Sequence, residues 1–206
     1  MTSKEGKEMV GQRRRVVTML LLGVGSLCVV GYGKRREPSE AASVRRGRYL
    51  VTICGCNDCH TPLKMGRHGP EPDQSRLLSG HPETMPMPLP PESQTAWQWH
   101  GASTNTAFAG PWGISYAANL TPEKETGIGN WTVKEFMQAM RTGHSVRFGR
   151  PLLPPMPWQN YAKMTDADLR AIFAYLKSLK PIRNHVPPSV PMKQTSPPTT
   201  KVPANR

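Results

Sequence analysis

The stretch Cys56-Asn57-Asp58-Cys59-His60 decides how this chain is interpreted. The C-x-x-C-H spacing is the pattern that attaches a c-type haem covalently. Two thiols three positions apart on one helical turn can reach the two vinyl groups of a single porphyrin, and the next residue presents an imidazole to the iron. Cys56 and Cys59 are therefore the predicted thioether residues, and His60 is the predicted proximal iron ligand.

Two other interpretations of these cysteines are a zinc half-site and a thioredoxin-like redox pair. A tetrahedral zinc site needs a second Cys/His pair, and the remaining cysteines, Cys28 and Cys54, stand at the wrong places for one. A redox dithiol would lie in a βαβ context and needs no histidine after the second cysteine. One covalent haem c is therefore the predicted cofactor, and Cys28 and Cys54 are interpreted as buried free thiols.

Length and charge restrict the classes of protein that fit. The chain has 206 residues, with 22 prolines and 18 glycines, which indicates one domain with long, turn-rich loops. Of the net charge of +13, residues 1–36 carry eight basic and two acidic side chains. The other basic residues form no run and no nucleic-acid module, so nucleic-acid binding is not expected. An acidic redox partner or an anionic membrane surface fits the charge better.

Residues 1–36 are predicted to be an N-terminal signal-anchor or signal peptide. Three arginines precede the uncharged run 16–33, and Lys34-Arg35-Arg36 follow it. Such a helix would be about 27 Å long, close to the hydrocarbon thickness of a bilayer. No A-x-A-like site ends the run, which favours an uncleaved anchor over a cleaved signal peptide. Because c-type haem is attached outside the cytoplasmic membrane, the predicted location is the periplasmic side of that membrane, anchored by residues 16–33.

Three helices are predicted from apolar periodicity and capping signals. The first covers residues 43–56 and runs into the C-x-x-C-H motif. The second begins at the capping box Thr132-Val133-Lys134-Glu135 and stops at Gly143. The third begins at Thr165, with an acidic residue at its third position, and ends at Lys180-Pro181.

The rest of the chain is predicted to be loop. Residues 61–130 contain many prolines and suggest no strands beyond one short hairpin, so we expect a long ordered loop packed around the haem edge. The predicted fold class is all-α, with about three main helices around one haem and this loop as an insertion. Residues 37–185 would form that domain, and residues 186–206 a Pro-rich disordered tail. The aromatic residues expected to order the loop are Trp97, Trp99, Phe108 and Trp112.

An electron-carrying haem needs a second axial ligand. Met156 lies in Leu152-Leu153-Pro154-Pro155-Met156-Pro157-Trp158, where the prolines stiffen the backbone enough to hold a weak thioether ligand. Met/His ligation raises the reduction potential relative to two imidazoles. Met85 and Met87, also among prolines, are the second choice. A bis-His site is the remaining alternative, and its candidates are His68, His81, His100, His144 and His185.

Three stretches, in order, carry a family resemblance. They are Gly47-Arg48-Tyr49-Leu50 before the C-x-x-C-H motif, Asn119-Leu120-Thr121-Pro122 with Glu125-Thr126-Gly127-Ile128-Gly129-Asn130-Trp131, and Pro155-Met156-Pro157-Trp158 with Met164-Thr165-Asp166. Over residues 44–182 the chain resembles class I c-type cytochromes, most closely the haem domains in cytochrome subunits of membrane-bound alcohol and gluconate dehydrogenases.

That resemblance implies a cytochrome c fold, with Met156 as the distal ligand. It implies that the first helix crosses the third at Gly47, and that Asn119, Thr121 and Trp131 lie near the haem propionates, where their polar hydrogens can donate to a carboxylate. The dehydrogenase subunits resemble a string of three such domains, whereas this sequence has one C-x-x-C-H. A three-haem relay is therefore not expected.

The predicted function is electron transfer by a single-haem cytochrome in a membrane-associated respiratory or dehydrogenase chain. The protein would be no enzyme by itself, its partners would be redox proteins such as a dehydrogenase or an oxidase, and no small-molecule substrate is expected. The alternative is a haem enzyme or gas sensor with a displaceable sixth ligand. A third possibility is a structural subunit in which the haem is incidental.

Overall fold

The computed structural model describes residues 38–88, 99–145 and 147–191. The predicted membrane segment 16–33, Cys28, Trp97 and residues 192–206 of the predicted tail lie outside the described residues. Within the described ranges, none of the helices is long and apolar enough to cross a membrane.

The first predicted helix is present, although its bounds differ. Helix α1, Glu40–Ile53, begins earlier than expected because the Ser39 hydroxyl accepts a hydrogen bond from the Ala42 N–H and caps the helix. The short helix α2, Cys56–His60, then carries the C-x-x-C-H motif. Gly55 separates the two helices with φ of 67°, a left-handed conformation that glycine adopts without steric cost.

The second and third predicted helices are confirmed, although the third ends at Lys177, before the predicted Lys180. Helix α3, Val133–Thr142, has the full capping box between Thr132 and Glu135, and it ends at Gly143 with φ of 66°. Helix α4, Trp158–Tyr161, is a single turn that the sequence did not predict. Helix α5, Asp166–Lys177, is capped by the Thr165 hydroxyl, which accepts from the N–H of Asp168.

Helices α1 and α5 pack against each other at Gly47. A Cβ atom added to Gly47 would overlap the backbone carbonyl of Ala171 and the Cβ of Tyr175. Glycine is therefore what allows the two backbones to approach this closely, as the resemblance implied. Leu50 and Val51 of α1 and Leu169, Ile172 and Leu176 of α5 are buried in the same core.

The prediction of an all-α fold is wrong, because the described residues also form three small antiparallel sheets. The first pairs two strands, the second has the order β3-β4-β5, and the third pairs two strands. Their bounds are β1 Leu63–Gly66, β2 Gly69–Pro72, β3 His100–Gly101, β4 Ala107–Gly110, β5 Gly113–Tyr116, β6 His144–Ser145 and β7 Arg150–Pro151.

The strands escaped prediction for a physical reason. All four residues of β5 and three of the four in β4 are buried, so neither strand has the exposed polar face that marks a half-buried strand, and four residues are too few to establish a period. The remaining strands have two to four residues, too few for any period. In the described parts of this loop, 61–88 and 99–130, strand pairing therefore contributes to the order, in addition to aromatic packing.

The C-terminal segment lies against the second sheet. The backbones of Val190 and Ile114 exchange two hydrogen bonds, at 2.8 and 2.9 Å. Closer to α5, buried Asn184 donates from Nδ2 to the carbonyls of Ser79 and His81. The first residues of the predicted tail, 186–191, therefore pack against the domain.

Candidate functional site

A mostly apolar cavity of about 460 Å³ lies between the helices and the second sheet. This volume is within the range of about 300–1,000 Å³ that is usual for sites of small molecules and cofactors. Of the seven residues predicted to form a site, five line the cavity and two do not. The five that the fold brings together are Cys56, Cys59, His60, Trp131 and Met156.

Helix α2 presents the motif to one wall of the cavity. Cys56 and Cys59 are both free and partly buried. Burial raises the pKa of the Cys56 thiol to about 12, and burial together with the nearby Asp58 carboxylate raises the pKa of Cys59. Both side chains are therefore neutral thiols at physiological pH, facing an apolar space.

His60 is buried, and one of its ring nitrogens is held by the backbone. Nδ1 lies 2.8 Å from the carbonyl oxygen of Ala118. Because a carbonyl can only accept, Nδ1 carries the proton and Nε2 of the neutral ring keeps its lone pair. Burial lowers the pKa of His60, which favours this neutral form. This is the arrangement that metal-binding histidines adopt, with the second nitrogen fixed by a backbone carbonyl.

Met156 lines the cavity from the loop between β7 and α4. Its backbone N–H donates to the carbonyl of Leu153, and the hydroxyl of Ser115 on β5 donates to the carbonyl of Pro154 at 2.6 Å. The loop is therefore attached to the second sheet just before the thioether. Met140 and Met164 also line the cavity, as parts of the core around it.

The other candidate axial ligands lie elsewhere. Met85 is partly exposed and Met87 packs against the second sheet, so neither lines the cavity. Among the described histidines, His60 alone lines the cavity. His81 is buried, with Nδ1 bonded to the Thr106 hydroxyl and Nε2 to the Met85 carbonyl. The exposed histidines are His68, His100, His144 and His185.

Asn119 and Thr121 lie behind the lining rather than on it. Both are fully buried, and the Asn119 carbonyl oxygen accepts from the backbone N–H and the hydroxyl of Thr121. The Asn119 amide donates to the carbonyl of Ile182, whose N–H donates in turn to the Thr121 hydroxyl. Their polar groups are thus engaged in holding the C-terminal segment. Trp131, in contrast, lines the cavity with its ring 5.4 Å from that of Phe148.

Cys54, Tyr161 and Arg150 also line the cavity. Burial, with a smaller effect of the Asp168 charge, raises the pKa of the Cys54 thiol. The Tyr161 hydroxyl donates to the Cys54 carbonyl at 2.7 Å, which joins the end of α1 to the segment after Met156. Sequence reasoning missed Tyr161 and Arg150, since neither belongs to a motif of its own. Their nearness to Met156 in sequence was the one available signal.

Comparison with known proteins supports the resemblance. No protein-family model matches the chain. The fructose dehydrogenase cytochrome subunit of Gluconobacter japonicus is 30% identical over 165 residues, 76% of this chain and 27% of that protein. The alcohol dehydrogenase (quinone) cytochrome c subunit of Gluconobacter oxydans is 27% identical over 164 residues, 79% of this chain and 27% of that protein.

A third relative matches a shorter part. A nicotinate dehydrogenase subunit of Pseudomonas putida is 43% identical over 94 residues, which is 43% of this chain and 8% of that protein. The chain therefore spans about a quarter or less of the length of these relatives. Over about three quarters of its own length, the chain resembles the cytochrome c subunits of dehydrogenases.

Proposed function

We propose that this chain is a c-type cytochrome that carries electrons through one covalently attached haem and is not itself an enzyme. The observation that supports this most is that one apolar cavity is lined by both thiols of the C-x-x-C-H motif, by His60 and by Met156. When bound, haem supplies an iron atom that accepts and releases one electron. The chain's own residues hold that group, orient it and exclude water from it.

The donor set and the cavity fit a covalently attached haem. Cys56 and Cys59 lie on the same short helix and face the same space, as two thioether links to one porphyrin require. Cys54 lies two residues before Cys56 and offers a third thiol, but it does not have the motif spacing. We therefore assign the two covalent links to Cys56 and Cys59 and none to Cys54.

We propose that His60 and Met156 would hold the iron of the haem. The hydrogen bond from His60 Nδ1 to Ala118 leaves Nε2 free to bind iron and fixes the orientation of the ring. Met156 has a weaker donor atom, so its position depends on the loop that carries it. The bond from Ser115 to the carbonyl of Pro154 ties that loop to β5 and limits its freedom. Two donors from the protein would keep water and small molecules away from the iron, which suits an electron carrier.

The resemblance placed Asn119, Thr121 and Trp131 near the haem propionates. Of these three, Trp131 lines the cavity, and we propose that its indole N–H contacts a propionate. For Asn119 and Thr121 we propose a supporting role in place of direct contact. Their hydrogen bonds to Ile182 hold the segment after α5 against the residues that precede α3. Their loss would loosen the wall of the cavity.

The partner that this proposal implies is a dehydrogenase. The relatives are named as subunits of dehydrogenases for fructose, alcohol and nicotinate. We propose that this chain likewise receives electrons from a dehydrogenase and passes them to the next redox protein of a respiratory chain. We place it on the periplasmic side of the cytoplasmic membrane, with residues 16–33 as its anchor.

A double variant and a matched control test haem attachment. The full chain is expressed with the haem-attachment machinery, and its mass and reduced-minus-oxidised spectrum are measured. The wild type and Cys54→Ala should both gain the mass of one haem and give the same spectrum. Cys56→Ala with Cys59→Ala should leave no covalent haem. A wild-type mass without haem, or equal loss of haem in Cys54→Ala, would contradict the assignment.

The same protein samples distinguish an electron carrier from a haem enzyme or gas sensor. If Met156 binds iron, the ferric protein shows the red thioether-to-iron charge-transfer band, and Met156→Ala removes it. The reduced wild type should then bind carbon monoxide poorly, whereas Met156→Ala binds it readily. Ready binding of carbon monoxide by the wild type would indicate a haem enzyme or gas sensor instead. Met85→Ala, outside the cavity, is the control and should behave like the wild type.

A further inference from the structure

Arg150 is a cationic side chain in the wall of a mostly apolar cavity. It is half-buried and begins strand β7, six residues before Met156. Burial of a guanidinium is costly unless an anion or several acceptors compensate it. Burial in fact lowers the pKa of Arg150, which reports that cost.

The compensation that the protein itself provides is small. Among the described residues, Arg150 donates one hydrogen bond, from one terminal nitrogen to the Ser189 hydroxyl at 2.9 Å. Its guanidinium also lies 5.8 Å from the ring centroid of Phe148. A guanidinium has five N–H donors, so most of them remain available. No carboxylate in the described ranges forms an ion pair with it, and Asp58, the one carboxylate that lines the cavity, is exposed.

The position of Arg150 is fixed from several sides. Its backbone pairs with Ser145 in the sheet of β6 and β7. Ser189, which binds its side chain, is next to Val190, whose backbone is paired with Ile114. The guanidinium is therefore held in place before any ligand binds, and such preorganisation is what a specific anion site requires.

We propose that Arg150 binds a propionate carboxylate of the haem, an inference that rests on the proposed function. The ligand in that proposal carries two carboxylates, and the forked guanidinium matches a carboxylate with two parallel hydrogen bonds. Asn119 and Thr121, which the resemblance suggested for this role, have their polar groups engaged with Ile182. Arg150 is thus a positioning residue that orients the haem and keeps its carboxylate ionised.

The test is the pH dependence of the reduction potential of the holoprotein. Arg150 stabilises the ionised propionate, so in the wild type the step in potential that accompanies its protonation lies at low pH. An adjacent arginine lowers a carboxyl pKa by about 1–3 units. In Arg150→Gln the step should therefore move to higher pH by about 1–3 units. Arg150→Lys keeps the charge but loses the fork, so its step should move less.

Arg183→Gln is the matched control. It removes the same charge from an exposed side chain, 71% accessible, that pairs with the exposed Glu125. Its step should coincide with that of the wild type. The inference is overturned if Arg150→Gln titrates like Arg183→Gln, or, should Arg150→Gln fail to mature, if Arg150→Lys titrates like the wild type. A wild type whose mass shows no haem overturns the proposed function instead, and this is recorded before any titration.

Discussion

Substitution of Gly47 by alanine tests the helix contact that holds the site together. The new Cβ would overlap the Ala171 carbonyl and the Tyr175 Cβ, and two packed backbones cannot yield as a flexible side-chain end can. We therefore take the upper part of the usual cost of overpacking, about 3 kcal/mol. Alanine also favours the helix by about 1 kcal/mol relative to glycine. The expected net loss of stability is about 2 kcal/mol.

The assay is thermal and urea unfolding of the holoprotein, followed by circular dichroism at 222 nm. For a domain of this size a loss of about 2 kcal/mol lowers Tm by roughly 4–8 °C. Arg48→Ala is the control, because Arg48 is the exposed neighbour of Gly47 in the same helix and surface changes cost within about 0.5 kcal/mol. If Gly47→Ala unfolds at or above the wild-type midpoint, the argument from close approach is refuted.

Three further predictions concern a helix cap, a buried amide and a hydrogen-bonded carboxylate. Thr132→Ala removes the capping box of α3 and should cost about 1 kcal/mol in urea unfolding. Asn184→Ala should cost about 3 kcal/mol in the same assay, since it leaves two buried carbonyls and a backbone N–H without their partner. Hydrogen bonds from Thr126 lower the pKa of Glu123 from 4.5 to about 2. The stabilisation that Glu123 provides is therefore present above pH 4.5 and is lost as the pH falls towards 2, and Glu123→Gln should flatten the stability profile in that window.

Local signals predicted the helices well because each is encoded within a few residues. The capping box at Thr132 and the glycine at 143 specify both ends of α3 without reference to the rest of the chain. The start of α1 was placed late, since Ser39 acts as a cap without a Glu or Gln at the third helical position. The strands pair with neighbours close in sequence, β1 with β2, β4 with β5 and β6 with β7, but each has at most four residues and carries no comparable signal. The bridge between Ile114 and Val190 joins residues distant in sequence and could not be predicted locally.

The residues of the site also fall into two groups, those that local sequence indicates and those whose partners are distant in sequence. Cys56, Cys59 and His60 were identified by spacing alone, and the stiff loop around Met156 by its prolines, and all four line one cavity. The sequence could not indicate that Asn119 and Thr121 share a polar partner, because that partner, the Ile182 carbonyl, lies more than 60 residues away in sequence. Whether a polar side chain points into the cavity or bonds to backbone outside the cavity depends on which segment of the chain packs against it.

Arg150 is the opposite case, a residue that lines the cavity although no sequence motif indicated it. In sequence it is one of many basic residues, and apart from its nearness to Met156 no motif distinguishes it from a solvated arginine. Its special environment arises because β6 and β7 pair, Ser189 comes within 2.9 Å, and the carboxylates of the described residues pair elsewhere or remain exposed. An unpaired charge in an apolar wall costs stability unless a ligand compensates it. Because of this cost, Arg150 indicates that the ligand of the cavity carries an anionic group and where in the cavity that group lies.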